Sequence, residues 1–120
     1  MNREFLKSKI HRASVNQSNL DYSGSLSIDE EIMEKAGILP NERVHVFNIT
    51  NGERFETYAI KAKKGSKMIG LNGAAARKGQ VGDLIIIVTY CYLSEDEILS
   101  HKARIILMGN NNEIEEVIEG

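Results

Sequence analysis

Asp83–Leu93 reads DLIIIVTYCYL. From Leu84 onward it is β-branched or aromatic at nearly every position, which suits a pleated strand better than a helix. An uninterrupted apolar run of this length, with no polar alternation, reads as a strand buried on both faces. It is far short of the roughly 20 residues that a membrane-spanning helix needs. Other segments carry the strand period around it. Arg43–Ile49, RVHVFNI, puts Val44, Val46 and Asn48 on one face and His45, Phe47 and Ile49 on the other. Arg54–Ala62, RFETYAIKA, alternates again, Lys7–Val15, KSKIHRASV, does so unevenly, and Ala103–Gly109, ARIILMG, is a shorter apolar strand.

The connections are tight. Asn51-Gly52 lies between two strand patterns, the strongest short hairpin signal because both residues tolerate positive φ. Two short helices are expected. Ser27–Gly37, SIDEEIMEKAG, has Ser27 and Glu30 at capping-box spacing and a terminal glycine, and Pro40 blocks continuation beyond it. Ser94 and Glu97 repeat the device in SEDEILSHKA. NGAAA, from Asn72, reads as a third short helix start or as a place of close backbone approach. The tail NNNEIEEVIEG has no strand or helix partner pattern and reads as a frayed extension or a docking segment.

The chain has 120 residues, of which 42% are hydrophobic and 27% charged, the composition of one soluble domain. With 15 basic and 17 acidic residues the net charge is −2, so no global field draws in nucleic acid or an anionic membrane. Basic residues gather in the first dozen positions and glutamates in the last eight. The single cysteine, Cys91, permits no internal disulfide and reads as a small buried hydrophobe in a reducing compartment. The charged opening MNREFLKSKI is unlike a secretory signal, so cytoplasm is the expected location. His45 and His101 have no metal-ligand spacing with Cys91 or a carboxylate cluster, and no metal is expected. No phosphate cradle of the P-loop or dinucleotide type is present. About six short strands, two or three short helices and glycine-rich turns point to a mainly β fold, a small closed six-stranded barrel occupying 1–120 as one domain.

Four segments do not reduce to architecture: KSKIHRASV (7–15), SGS (23–25), NGERFETYAI (51–60) and IGLNGAAA (69–76). Gly24-Ser25 alone is an ordinary turn pair. In this order and spacing, the four segments resemble the pyruvoyl-dependent aspartate 1-decarboxylases over nearly the whole chain. Leu71 and Ser14 depart mildly from the residues usual there. The resemblance implies a double-psi β-barrel and a homotetramer with sites shared between subunits. It also implies self-cleavage into 1–24 (the beta chain) and 25–120 (the alpha chain). The implied activity is decarboxylation of L-aspartate to β-alanine and CO2, supplying pantothenate and coenzyme A biosynthesis. The cofactor is then a covalent pyruvoyl group made from Ser25, without pyridoxal phosphate and without a metal.

The residues make chemical sense in those roles. Losing CO2 leaves electrons on the substrate α-carbon that no ordinary side chain accepts, and a pyruvoyl ketone joined to the substrate amine supplies the sink. The Ser25 hydroxyl attacks the Gly24 carbonyl, and Gly24 leaves the backbone bendable with no Cβ in the way. Thr57 is the expected donor to the resulting oxyanion, and also touches substrate. Tyr58 is the implied acid that protonates the α-carbon. Arg54 offers a bidentate fork, with Lys9 helping, and both are assigned to the substrate's side-chain carboxylate. Anchoring the departing carboxylate instead would stabilise the ground state. Gly73, Ala74 and Ala75 offer small residues and backbone N–H groups to the substrate, with His11, Tyr22 and Asn72 in support. One conflict is built in. On a regular strand Thr57 and Tyr58 face opposite ways, so both reach one site only if the strand twists or a neighbouring subunit completes it. The competing reading is a non-enzymatic small-barrel module binding nucleic acid or a protein partner. The basic first strand suits it, whereas the negative net charge and the lack of an aromatic-basic stripe oppose it.

Overall fold

The computed structural model describes residues 1–120 and is mainly β. Nine strands occur, more than the six expected: β1 Arg3–Ser14, β2 Gln17–Asn19, β3 Ser25–Asp29, β4 Arg43–Asn48, β5 Arg54–Ala62, β6 Ile69–Asn72, β7 Leu84–Leu93, β8 Arg104–Met108 and β9 Ile114–Glu119. Two α-helices, α1 Glu30–Ala36 and α2 Glu95–Ile98, and two 3-10 turns, Gly73–Lys78 and Asn110–Asn112, complete it. The strands hydrogen-bond in the order β2-β6-β3-β5-β4-β7-β1-β8-β9. No helix is long and apolar enough to cross a membrane.

The expected strands are where the alternation put them. Val44, Val46 and Asn48 are buried together on β4. β7 is the centre of the larger half, paired with β1 on one side and β4 on the other. Its burial on both faces is only partial. Ile85, Ile87, Val88 and Thr89 are buried, but Tyr90 and Tyr92 stand out on the exposed face. The strands missed by periodicity are short or polar: β2, β3 and β6, each with five residues or fewer, and the acidic β9. β9 is neither frayed nor loose, since it pairs antiparallel with β8 from Arg104↔Glu119 to Met108↔Ile114. Asn51-Gly52 does join β4 to β5, but through the longer connection 49–53 in which only Gly52 takes a positive φ, 79°.

One core joins both halves: Ile10 and Ile106 from one side, Leu26, Ile28, Ile69 and Leu71 from the other, with Val44, Val46, Ile85 and Ile87 between. α1 packs Ile32, Met33 and Ala36 against it. Its capping corrects the sequence reading, because Ser27 lies within β3 and the cap is Asp29. Gly37 ends the helix as expected, at φ 74°, and Ser94 and Glu97 form the expected capping box on α2.

Asp29 does more than cap. It is buried, and its carboxylate accepts hydrogen bonds from three backbone N–H groups: Glu31 at 2.8 Å, Gly65 at 2.9 Å and Lys67 at 2.8 Å. It therefore ties the end of β3 to the helix start and to the loop that leads into β6. Asp29→Ala leaves those donors without a partner. It is expected to cost about 2–4 kcal/mol of stability, with Asp29→Asn losing less. Urea denaturation at fixed protein concentration measures this, and an unchanged midpoint in the alanine variant contradicts the role.

Candidate active site

Ser25 is the first residue of β3, 1% exposed, and faces Asn72 across the antiparallel pairing with β6. Its Oγ accepts a hydrogen bond from Asn72 Nδ2 at 3.2 Å and donates a long one, 3.4 Å, to the carbonyl of Ser23. That second bond reaches back across Gly24. Asn72 Nδ2 also donates to Ser27 Oγ at 2.7 Å, while Asn72 Oδ1 is buried with no partner. A buried acceptor left unpaired is costly, and sites that handle a reacting group are where such costs are tolerated.

Gly73 follows at φ 61°. A methyl group placed on it would stand 2.6 Å from Gly24 Cα, 2.8 Å from Gly24 N and 3.0 Å from the carbonyl oxygen of Tyr22. Only glycine allows both the dihedral and the contact. The Asn72-Gly73 step is thus both things its sequence suggested: it starts a 3-10 turn, and it lets two backbones touch.

A cleft of about 280 Å³ opens beside this contact. Gly24 and Ser25 line it with Phe55, Glu56, Thr57 and Tyr58 of β5 and Ala74, Ala75 and Lys78 of the 3-10 turn. Four consecutive residues of one strand line the same space, which a strand face cannot do but a strand edge can. The pairing shows why. β5 bonds to β4 from Arg54 to Tyr58 and to β3 from Ala59 to Ala62. On the β3 side, its first half has no strand partner, and the cleft runs along that free edge. Thr57 and Tyr58 thus both border this cleft within one chain, along the strand edge, although their exposure still alternates.

The remaining expected residues are not brought to this cleft. Arg54 stacks its guanidinium 4.0 Å from the Phe47 ring centroid, in a separate groove of about 490 Å³ with His45 and Tyr90. Phe55 and Glu56 line both spaces. Lys9 lies on β1 opposite Val88 and Ile105 and does not line the cleft. Tyr22 is exposed and contributes its carbonyl to the Gly73 contact rather than its ring to the cleft. His11 sits where β1 shifts register between Ile10 and Ala13, next to Arg12 at φ 67°. Its Nδ1 is buried and unpartnered. Desolvation, then the neighbouring charges of Lys9 and Arg12, hold its pKa below the usual 6.5. Glu56 and Lys78 were not anticipated. Glu56 shares the alternation of Arg54 and Tyr58, a usable signal, whereas the reach of Lys78 depends on the tight 3-10 turn.

Fold and cleft define a small mainly β protein with a buried serine at a strand start, backed by a glycine–glycine contact. The family model for aspartate decarboxylase matches residues 1–115. An aspartate 1-decarboxylase of Caldicellulosiruptor saccharolyticus is 60% identical over 111 residues, covering 92% of this chain and 87% of its own. That of Desulfotalea psychrophila is 48% identical over 119 residues, covering 99% and 100%. That of Neisseria meningitidis is 49% identical over 118 residues, covering 98% and 93%. The chain belongs to the aspartate decarboxylase family.

His11 makes a testable contribution to pH dependence. Its folded pKa is depressed, so between that value and 6.5 the unfolded chain binds a proton that the folded chain does not. Stability from this group is present above 6.5 and is lost as the pH falls through the window. His11→Gln should flatten the fall in urea midpoint between about pH 7 and 5. An identical slope in wild type and variant rules the contribution out.

Proposed function

We propose that the chain cuts itself between Gly24 and Ser25 and then, as a pyruvoyl-dependent enzyme, decarboxylates L-aspartate to β-alanine and CO2, toward pantothenate, in the cytoplasm. The observation that carries this is Ser25 itself, buried against Asn72 at the start of a strand, with its hydroxyl reaching back across Gly24 to the Ser23 carbonyl. Maturation conserves atoms as follows. Ser25 Oγ attacks the Gly24 carbonyl carbon, and the peptide C–N bond breaks as the ester forms, freeing the Ser25 amine. Loss of the Ser25 α-proton expels Gly24 as a carboxylate and leaves dehydroalanine, which takes up water and releases ammonia. Fragments 1–24 and 25–120 result.

The surroundings fit the group so formed. Asn72 Nδ2, which donates to Ser25 Oγ at 3.2 Å, offers a donor to a carbonyl oxygen formed there, and the Gly24–Gly73 contact leaves no room for a side chain. Asn72, Gly73 and Ala74 would hold it. The chemistry such a group would supply is a ketone able to condense with the substrate amine and a sink for the electron pair left on the α-carbon when CO2 departs. Thr57, which lines the same cleft as Gly24 and Ser25, stabilises the oxyanion during the cut and contacts substrate. Tyr58, 41% exposed on the cleft edge, donates a proton to the substrate α-carbon and recovers one from solvent. Ala75 keeps the opposite wall small.

Arg54 and Lys9 hold the substrate's side-chain carboxylate from outside this cleft. We therefore assign them to a site shared between the subunits of a homotetramer. The exposed Tyr90 and Tyr92 on β7 offer apolar surface for that assembly. The single core joining both halves of the open strand ladder suits closure into a double-psi barrel.

Intact mass of the purified protein should show two fragments, and Ser25→Ala should show one uncut, inactive chain. Full decarboxylase activity in that variant would falsify the mechanism.

Tyr58→Phe separates the two stages. It should still mature and still trap labelled aspartate under borohydride, but turn over about 10²–10⁴-fold more slowly. Thr57→Val should show slow cleavage first. An uncut Tyr58→Phe chain beside a normally maturing Thr57→Val chain would reverse the two assignments.

A further inference from the structure

The cleft holds two charged side chains, Glu56 and Lys78. Glu56 is already engaged, 2.6 Å from Arg43 and 3.2 Å from His45 Nδ1. Lys78 is the one cation that lines the cleft, and its ammonium stands 3.2 Å from the exposed carboxylate of Glu53. An exposed pair of that kind contributes little and is readily exchanged.

Self-cleavage creates a charge that the uncut chain lacks. The Gly24 carbonyl becomes the carboxylate end of fragment 1–24, and Gly24 lies in this same cleft with its backbone against Gly73. An unpaired carboxylate there would repel both carboxylates of an incoming aspartate. Substrate would also compete poorly for Lys78, because the new terminus would border the same cleft and act at high effective concentration.

We propose that Lys78 is a positioning residue which leaves Glu53 after the cut, pairs with the new Gly24 carboxylate and keeps that charge away from the substrate. The proposal rests on the cleavage reading above. It goes beyond that reading in assigning a partner to the fragment end.

Glycine labelled with 13C at the carbonyl tests it, with intact mass run in parallel. The cut creates one glycine carboxylate, at Gly24, that the uncut Ser25→Ala chain lacks, so the Gly24 line is assigned by difference. In mature Lys78→Gln the Gly24 line should shift while the other glycine carbonyl lines stay, and Lys78→Arg should restore it. KM for aspartate should rise about two- to fivefold in Lys78→Gln with kcat changed by less than about twofold. A Gly24 line unmoved by Lys78→Gln overturns the proposal. If KM rises in that same protein, Lys78 binds substrate directly instead. An uncut wild-type chain overturns the cleavage reading and this one together, whereas a cut chain with an unmoved line overturns this one alone.

Discussion

The exchange of partners along β5 is the constraint on which the site depends. A strand has two hydrogen-bonding edges, and β5 uses them in turn: β4 as far as Tyr58, then β3 from Ala59. The strand thereby stitches the two halves of the ladder together. It also leaves a free edge next to the first residue of β3. Unpaired edges are usually covered or blunted. Here the edge borders a cleft whose other wall is the small 3-10 turn, and Ser25 lines the same space.

β3 is five residues long and wholly buried, and it is held at both ends by polar contacts rather than by its own length. Asp29 fixes the far end through three backbone donors, and Asn72 grips Ser25 and Ser27 at the near end. Between them Leu26 and Ile28 enter the core. A short strand anchored this way positions its first residue more firmly than a loop would, which is what the proposed self-cleavage needs. The chain just before Ser25 is held more locally, by Asn19, which accepts from the backbone N–H groups of Asp21 and Tyr22, and by the close approach of Gly24 to Gly73.

Legibility in the sequence followed the physics of each element. β4, β7 and β8 were readable because burial of one face or both leaves an apolar period. β3 was not, because SLSID mixes two serines and an aspartate whose burial depends on partners far along the chain, Asn72 and the Gly65–Lys67 loop. The same long-range contacts explain the misplaced cap. Ser27 has the spacing of a capping box, but its hydroxyl is held by Asn72, and Asp29 takes the role. The cluster of Gly24, Ser25, Thr57 and Asn72–Ala75 was legible only through the combined motifs. That Thr57 and Tyr58 share a cleft was not legible at all, since alternation says which face a residue is on and nothing about which edge is free.

The division of residues between cleft and groove separates two tasks. Every group proposed for the cut, Gly24, Ser25 and Thr57, lies with Asn72 and Gly73 inside one chain. The groups proposed to hold the substrate's side-chain carboxylate do not: Arg54 rests on Phe47 beyond the Glu56 divide, and Lys9 lies on β1. A guanidinium stacked on an aromatic ring keeps its outward donors free. Packing holds it in place without using the fork that a carboxylate would need. On the proposed reading, cleavage would then depend on local geometry within the fold, and substrate capture on how that fold is assembled with its neighbours, so a loosened assembly should harm aspartate binding before it harms maturation.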